Sequence, residues 1–283
     1  MPVVVLETIA ETRAAITAQR KAGRTVALTP TLGALHEGHL EHVRRAAQIA
    51  DVRVVSIFVN PTQFGANEDL AKYPRTFDDD LAKLEAEGVD FVFAPTAHEM
   101  YPTGPTETVV TAGRIGTMYE GAARPGHFDG VLTVVAKLLN IVTPDVVTFG
   151  QKDAQQLFLV RRMVDDLNLP VRIEIIETVR EPDGLALSSR NRYLDAKERR
   201  AAKALSSALE AAASSGDRGI DAVIAAAQAV LMGEPSVKLD YLKVVMPKTF
   251  LPVDDGYRGK AIAIIAANVG STRLIDNEQL YLG

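Results

Sequence analysis

The stretch Thr29-Pro-Thr-Leu-Gly-Ala-Leu-His-Glu-Gly-His-Leu40 follows a β-branched run, Thr25-Val-Ala-Leu-Thr29, and leads into helical periodicity over residues 40–50. A strand that passes through a glycine turn into a helix is a natural anion site. Gly33 and Gly38 let backbone approach a ligand closely, and a helix N-terminus offers unpaired N–H groups at the positive end of its dipole. His36 and His39 flank Gly38, where both can hydrogen-bond phosphate oxygens. The plainer alternative, two solvated histidines at a helix start, leaves the glycines and the strand–turn–helix context unexplained. His42 completes a spacing of three. Each such step turns a helix by about 300°, so the outer two rings lie roughly 120° apart. With no carboxylate or cysteine completing a zinc pattern nearby, the spacing argues against one shared metal, and His42 reads as a helix-surface residue.

Outward from this turn, strand-like runs at 52–59, 89–93, 146–149 and 171–176 alternate with helical patterns at 79–87, 131–141 and 155–167. The alternation predicts an α/β fold, a Rossmann-like doubly wound parallel sheet covered on both faces. Ligands of such sheets sit beyond the carboxyl ends of the strands. After about residue 180 the texture changes to helical patterns at 195–214 and 220–232, then strands at 238–245 and 260–267 and a third at 272–275. The expected organisation is a Rossmann-like domain over 1–180 and a smaller α+β domain over 181–283.

Composition narrows the function. The 283 residues are 47% hydrophobic and 24% charged, as in an ordinary globular chain, and no run reaches the length needed to span a bilayer. Absence of cysteine excludes a disulfide scaffold, a thiolate metal site and a cysteine nucleophile. A net charge of −5 argues against a nucleic-acid coat. The beginning, MPVVVLETIAETR, has no basic leader, so a cytoplasmic protein is expected.

Four further segments carry candidate chemistry. Asn60-Pro-Thr-Gln63 ends the second strand, and Asn60 and Gln63 suit hydroxyls and a carboxylate; it reads equally as an Asx/Pro turn. In Arg124-Pro-Gly-His-Phe-Asp-Gly130, His127 is a substrate contact or a local cap. Phe149-Gly-Gln-Lys-Asp-Ala-Gln-Gln156 offers Gly150 for close approach, Lys152 for a phosphate, and Asp153 and Gln155 as specific acceptors and donors. Its plainer reading is a helix cap beside a surface charge. Ser188, Ser189 and Arg190, in Leu185-Ala-Leu-Ser-Ser-Arg-Asn191, supply two hydroxyls and a bidentate cation, a phosphate clamp if not an ordinary polar turn.

The His36-Glu-Gly-His39 segment resembles the HxGH signature of the nucleotidylyltransferase superfamily, similar in nucleotide fold to class I aminoacyl-tRNA synthetases. The ordered set ALHEGH, FVNPTQFG, PGHFDGV, FGQKDAQQL and DGLALSSRN resembles the pantoate–β-alanine ligase family from about Thr29 to Arg200, with a weaker match beyond. That resemblance implies ATP-dependent joining of pantoate to β-alanine through a pantoyl adenylate, with Mg²⁺, in a homodimer that engages neither nucleic acid nor membrane. It implies that His36 and His39 contact the ATP phosphates, joined by Lys152, Ser188, Ser189 and Arg190. Gln63 and Gln155 would bind pantoate, and Asn60 and His127 would shape the second-substrate region. Gly38, Gly150 and Asp153 would lie along the nucleotide. Asp79 and Asp80 would bind Mg²⁺ directly or through water, or else favour the start of their helix as charges on its dipole. One departure is Leu32, where the family usually has Met; the swap nearly conserves volume at a backbone contact with the nucleotide. Two rival readings are a transferase of the same superfamily acting on a phosphate, and a nucleotide-binding module without turnover.

Overall fold

The computed structural model describes residues 2–65, 70–104 and 106–283. They form two compact units: Met1–Gln151 with Leu159–Ile176, and Lys152–Phe158 with Glu177–Gly283. The 152–158 segment, expected in the first domain, thus groups with the C-terminal part of the chain.

The first unit carries a six-stranded sheet of β1 (Val4–Leu6), β2 (Val26–Thr31), β3 (Val52–Ile57), β4 (Phe91–Phe93), β5 (Val146–Gly150) and β6 (Arg172–Ile176). The strands run in the order β1-β4-β3-β2-β5-β6, and every pairing is parallel. Its helices are α1 (Ile9–Lys21), α2 (Glu37–Ile49), α3 (Phe77–Ala86), α4 (Ala97–Met100), α5 (Glu120–Ala123), α6 (His127–Val142) and most of α7 (Ala154–Asp166). Near-continuous apolar strands such as Val26-Ala-Leu28 are fully buried, as helices on both faces require. Leu35, Val43, Val55, Leu84 and Val92 form one of the clusters, so the turn after β2 is rooted in the core immediately before His36. Parallel pairing sends the carboxyl ends of β2, β3 and β5 to one edge. Strand order reverses at β2 and β5, the switch point where this architecture opens a crevice.

The pattern did not reveal β1 or α1. The strand is three residues long, and α1 buries only Thr12 and Ile16, too few for a visible apolar stripe. Its start was nonetheless encoded. The Thr8 hydroxyl accepts from the Glu11 N–H (3.1 Å) and the Glu11 carboxylate accepts from the Thr8 N–H (3.0 Å), a reciprocal cap.

The second unit packs α8 (Ala196–Ala213) and α9 (Ile220–Met232) on an antiparallel sheet of β7 (Val237–Val245), β8 (Gly259–Val269) and β9 (Thr272–Leu282), with β8 central. Leu205, Leu209, Val223, Ile265 and Leu282 lie in its core. Strand β9 runs well beyond the expected 272–275. Asp276 and Asn277 break its apolar pattern, yet both are buried and paired with β8.

Helix α6 approaches the turn after β3 at Gly130, where an added Cβ would lie 2.3 Å from the Thr62 carbonyl oxygen and 2.7 Å from the Gln63 nitrogen. Neither atom belongs to a flexible side chain. Gly130→Ala should therefore destabilise the protein by about 1–3 kcal/mol through overpacking, read as a lower midpoint in urea. An unchanged midpoint would show that helix and turn are free to separate.

Candidate active site

The turn after β2 is shaped by one buried carboxylate. Asp80, from the first turn of α3, accepts the backbone N–H of Ala34 and of Leu35, each at 2.8 Å, and the Thr76 hydroxyl at 3.1 Å. These bonds hold Ala34 in the left-handed region at φ 51°, unusual for a residue with a side chain. At Gly33, φ is 82°, and a Cβ there would sit 3.1 Å from Ile57 and 3.3 Å from the Asp80 carboxylate, so glycine is required. Lys83, one turn further along α3, donates to the Leu35 carbonyl at 2.8 Å. The chain is thereby delivered to α2 with His36 as its N-cap residue.

His36 and His39 lie together, their ring centroids 4.0 Å apart. The His36 N–H donates to Nδ1 of His39 at 3.3 Å. With Nδ1 accepting, the proton of the neutral ring resides on Nε2, which suits that nitrogen to donate to an anion at the helix start. Gly38, in the first turn of α2, and Leu32, ahead of the Gly33 turn, are both half-buried.

His42 is not the surface residue expected. Its Nδ1 is hydrogen-bonded to the Thr148 hydroxyl at 3.1 Å, and that hydroxyl to Thr29 at 3.0 Å, tying α2 to β5 and β2 at the switch point. The side of α2 that carries His42 is the one packed on the strands. Gly150, at the end of β5, adjoins it: a Cβ there would lie 3.3 Å from His42 Nε2.

The turn after β3 is built around Asn60, which is fully buried. Its carbonyl oxygen accepts from the Tyr101 hydroxyl (2.8 Å) and the Thr62 hydroxyl (3.0 Å), and its amide donates to the Gln63 side chain and the Gly130 carbonyl, each at 3.2 Å. Burial raises the Tyr101 phenol above its ordinary value, which keeps it a donor. His127 joins the same turn. Arg124 lies 2.9 Å from its Nε2, and its Nδ1 lies 2.8 Å from the Gln63 carbonyl oxygen. Since guanidinium only donates, Nε2 accepts and Nδ1–H donates to the carbonyl. Asn60 and His127 thus both spend polar atoms on fixing Gln63.

In the second unit, Lys152, Ser188 and Arg190 line one cleft together with Ala186, Arg273 and Asp276. The Ser188 hydroxyl accepts the Arg190 N–H at 3.3 Å, starting a short 3-10 turn over Ser189–Tyr193 that leaves Arg190 exposed. Asn191 fastens this turn to Ala186 and Glu181 at 3.1 and 2.9 Å. Arg199 then bonds Glu181 and Asp183, and its hydrogen bonds, partly opposed by burial, hold both carboxyls below their ordinary values. Asp153 stands 3.8 Å from the Lys152 ammonium, and Gln155 is buried in the first turn of α7.

Asp79 and Asp80 do not converge as a metal pair. Asp79 is exposed, whereas Asp80 turns its carboxylate onto backbone N–H groups. Among the described residues, no three His, Asp or Glu side chains form a metal-holding group. No described helix is long and apolar enough to cross a membrane.

Parallel strands with a switch point define a Rossmann-like α/β protein, with a glycine turn and paired histidines at the carboxyl edge of its sheet. The family model for pantoate-beta-alanine ligase matches residues 4–279. A pantothenate synthetase of Leifsonia xyli is 57% identical over 98% of this chain and 96% of its own length, and one of Nocardia farcinica is 58% identical over 94% and 82%. The crystal structure of pantothenate synthetase from Thermus thermophilus superposes with a TM-score of 0.91 at 44% identity, covering 98% of this chain and 99% of that one. A pantoate-beta-alanine ligase from Francisella tularensis, solved in complex with β-γ ATP and β-alanine, superposes with a TM-score of 0.80 at 31% identity, covering 98% and 97%. The chain belongs to the pantoate–β-alanine ligase family.

If Asp80 acts by fixing the turn, its removal strands two buried N–H groups at about 1–3 kcal/mol each. Asp80→Ala should lower both the thermal midpoint and the rate, while Asp79→Ala changes stability by no more than about 0.5 kcal/mol. Equal losses of stability in the two variants, followed by thermal denaturation, would contradict this division of labour.

Proposed function

We propose that the protein activates pantoate with ATP and then transfers it to β-alanine, as family membership indicates. The carboxylate oxygen of pantoate attacks the α-phosphorus, and the bond to the β-phosphate breaks to release pyrophosphate. The amine of β-alanine next attacks the acyl carbonyl of the adenylate, AMP departs, and the nitrogen loses its proton to give the amide. Neither step needs an enzyme nucleophile, which accords with a chain lacking cysteine.

The observation that carries this reading is the paired His36 and His39 at the N-terminus of α2, held by the Asp80-bound turn. The first step sets an anion against an anion, so its barrier falls when fixed donors meet charge as it develops. In the family reading His36 and His39 supply such donors, as do Lys152, Ser188, Ser189 and Arg190. Gly38, Gly150, Asp153 and the Leu32 backbone serve the nucleotide. Gln63 and Gln155 take pantoate's hydroxyl and carboxylate groups, with Asn60 and His127 holding Gln63. Mg²⁺ bound with the ATP phosphates would neutralise charge there; among the described residues no three His, Asp or Glu side chains form a cage for it, and Asp79 would offer a single exposed carboxylate. The same family reading implies a homodimer and a cytoplasmic setting.

His39→Ala should lower the single-turnover rate of pantoyl adenylate formation by about 10²–10³-fold, as when one preorganised donor is removed from an oxyanion site. Rapid quench with labelled ATP measures that rate directly. A wild-type rate in the variant would refute the assignment of His39.

A further inference from the structure

Strand β9 carries two adjacent polar residues, Asp276 and Asn277, only 3% and 2% exposed. In period-two alternation Asp276 shares a face with the core residues Leu274 and Leu280, a costly place for a carboxylate without a partner. It has one: Arg180 grips it with both terminal nitrogens, at 2.7 and 3.2 Å. Arg180 also donates to the Gly184 carbonyl (3.2 Å), and its backbone pairs with Ala186, so the hairpin leading into Ser188 is anchored on β9. The Asp276 carboxylate accepts the Asn277 N–H as well, at 2.8 Å.

Asn277 reaches elsewhere. Its side-chain amide donates to the main-chain carbonyl of Lys152 at 2.8 Å, across 125 positions of sequence. Lys152 lies in the short turn between β5 and α7, and its ammonium stem emerges from the residue whose carbonyl is held. One dipeptide of an outer strand therefore fastens two segments, Lys152 and the hairpin before Ser188 and Arg190, that line one cleft.

We propose that Asn277 is a positioning residue for adenylate formation: by holding the Lys152 carbonyl beside the hairpin anchored on Asp276, it sets the lysine ammonium in register with Ser188 and Arg190. The inference rests on the reading above in which those three groups receive phosphate. A buried amide could equally serve stability alone. The two roles differ in one respect: a positioning residue loses its effect once the group it positions is gone.

The test is a double-mutant cycle on the holoenzyme reaction, with pyrophosphate release from ATP and pantoate as readout and the thermal midpoint recorded for each variant. Lys152→Ala should slow release by about 10²–10³-fold. Asn277→Ala alone should slow it about tenfold with the pantoate KM unchanged, but have no further effect in the Lys152→Ala background. If Asn277→Ala does not fold, Asn277→Ser serves instead, since its hydroxyl is too short to reach the carbonyl. An equal loss from the Asn277 substitution in both backgrounds would overturn the proposal and leave the phosphate role of Lys152 standing. A wild-type rate in Lys152→Ala would overturn that role, and the positioning inference with it.

Discussion

The two hydrogen bonds that Asp80 accepts from the Ala34 and Leu35 N–H groups are the constraint on which the turn after β2 depends. A strand leaving the middle of a parallel sheet must turn within a few residues to start its covering helix, and the turn exposes backbone donors in the protein interior. A charged acceptor satisfies two of them and holds a non-glycine residue left-handed. The immediate result is the placement of His36 and His39 at the start of α2, where the helix dipole favours an anion. Moving Asp80 would alter histidine placement without touching either ring.

A similar economy organises the turn after β3. Asn60, His127 and the close approach at Gly130 converge on Gln63, fixing its side chain, its carbonyl and its backbone path respectively. The second unit does the same with ion pairs, Arg199 on Glu181 and Asp183 and Arg180 on Asp276, around a hairpin that presents Ser188 and Arg190. In each case a polar residue that chemistry alone would nominate as a ligand holds another one still. Preorganisation of this kind lets donors meet developing charge without rearranging as the reaction proceeds.

Much of this was legible before any coordinates, for physical reasons. Parallel strands buried on both faces must be apolar throughout, so β2, β3 and β5 stood out as β-branched runs. The strand–turn–helix passage was legible because Gly33 and Gly38 punctuate the change from a β-branched run to helical periodicity. What escaped was whatever depends on distant partners. Strand β9 was cut short because Asp276 and Asn277 look like a turn until Arg180 and the Lys152 carbonyl are seen beside them. His42 looked idle because its partner, Thr148, lies 106 residues away. The bonds of Asn60 and His127 to the Gly130 and Gln63 carbonyls were hidden, because an amide or imidazole in a sequence carries no sign of the backbone it will bond. Asp79 and Asp80 read either as metal ligands or as charges favouring their helix start; the turn that Asp80 closes on the Ala34 and Leu35 N–H groups depends on backbone it could not be known to meet.

Activation of a carboxylate as its adenylate before an amine is admitted, as proposed above, has a direct readout. Pyrophosphate release followed from enzyme, ATP, Mg²⁺ and pantoate, with and without β-alanine, tests it directly. Release should require pantoate, stop near one turnover per site without β-alanine, and become multiple-turnover when the amine is added. Release that needs no pantoate, or that begins only when β-alanine is present, would contradict it.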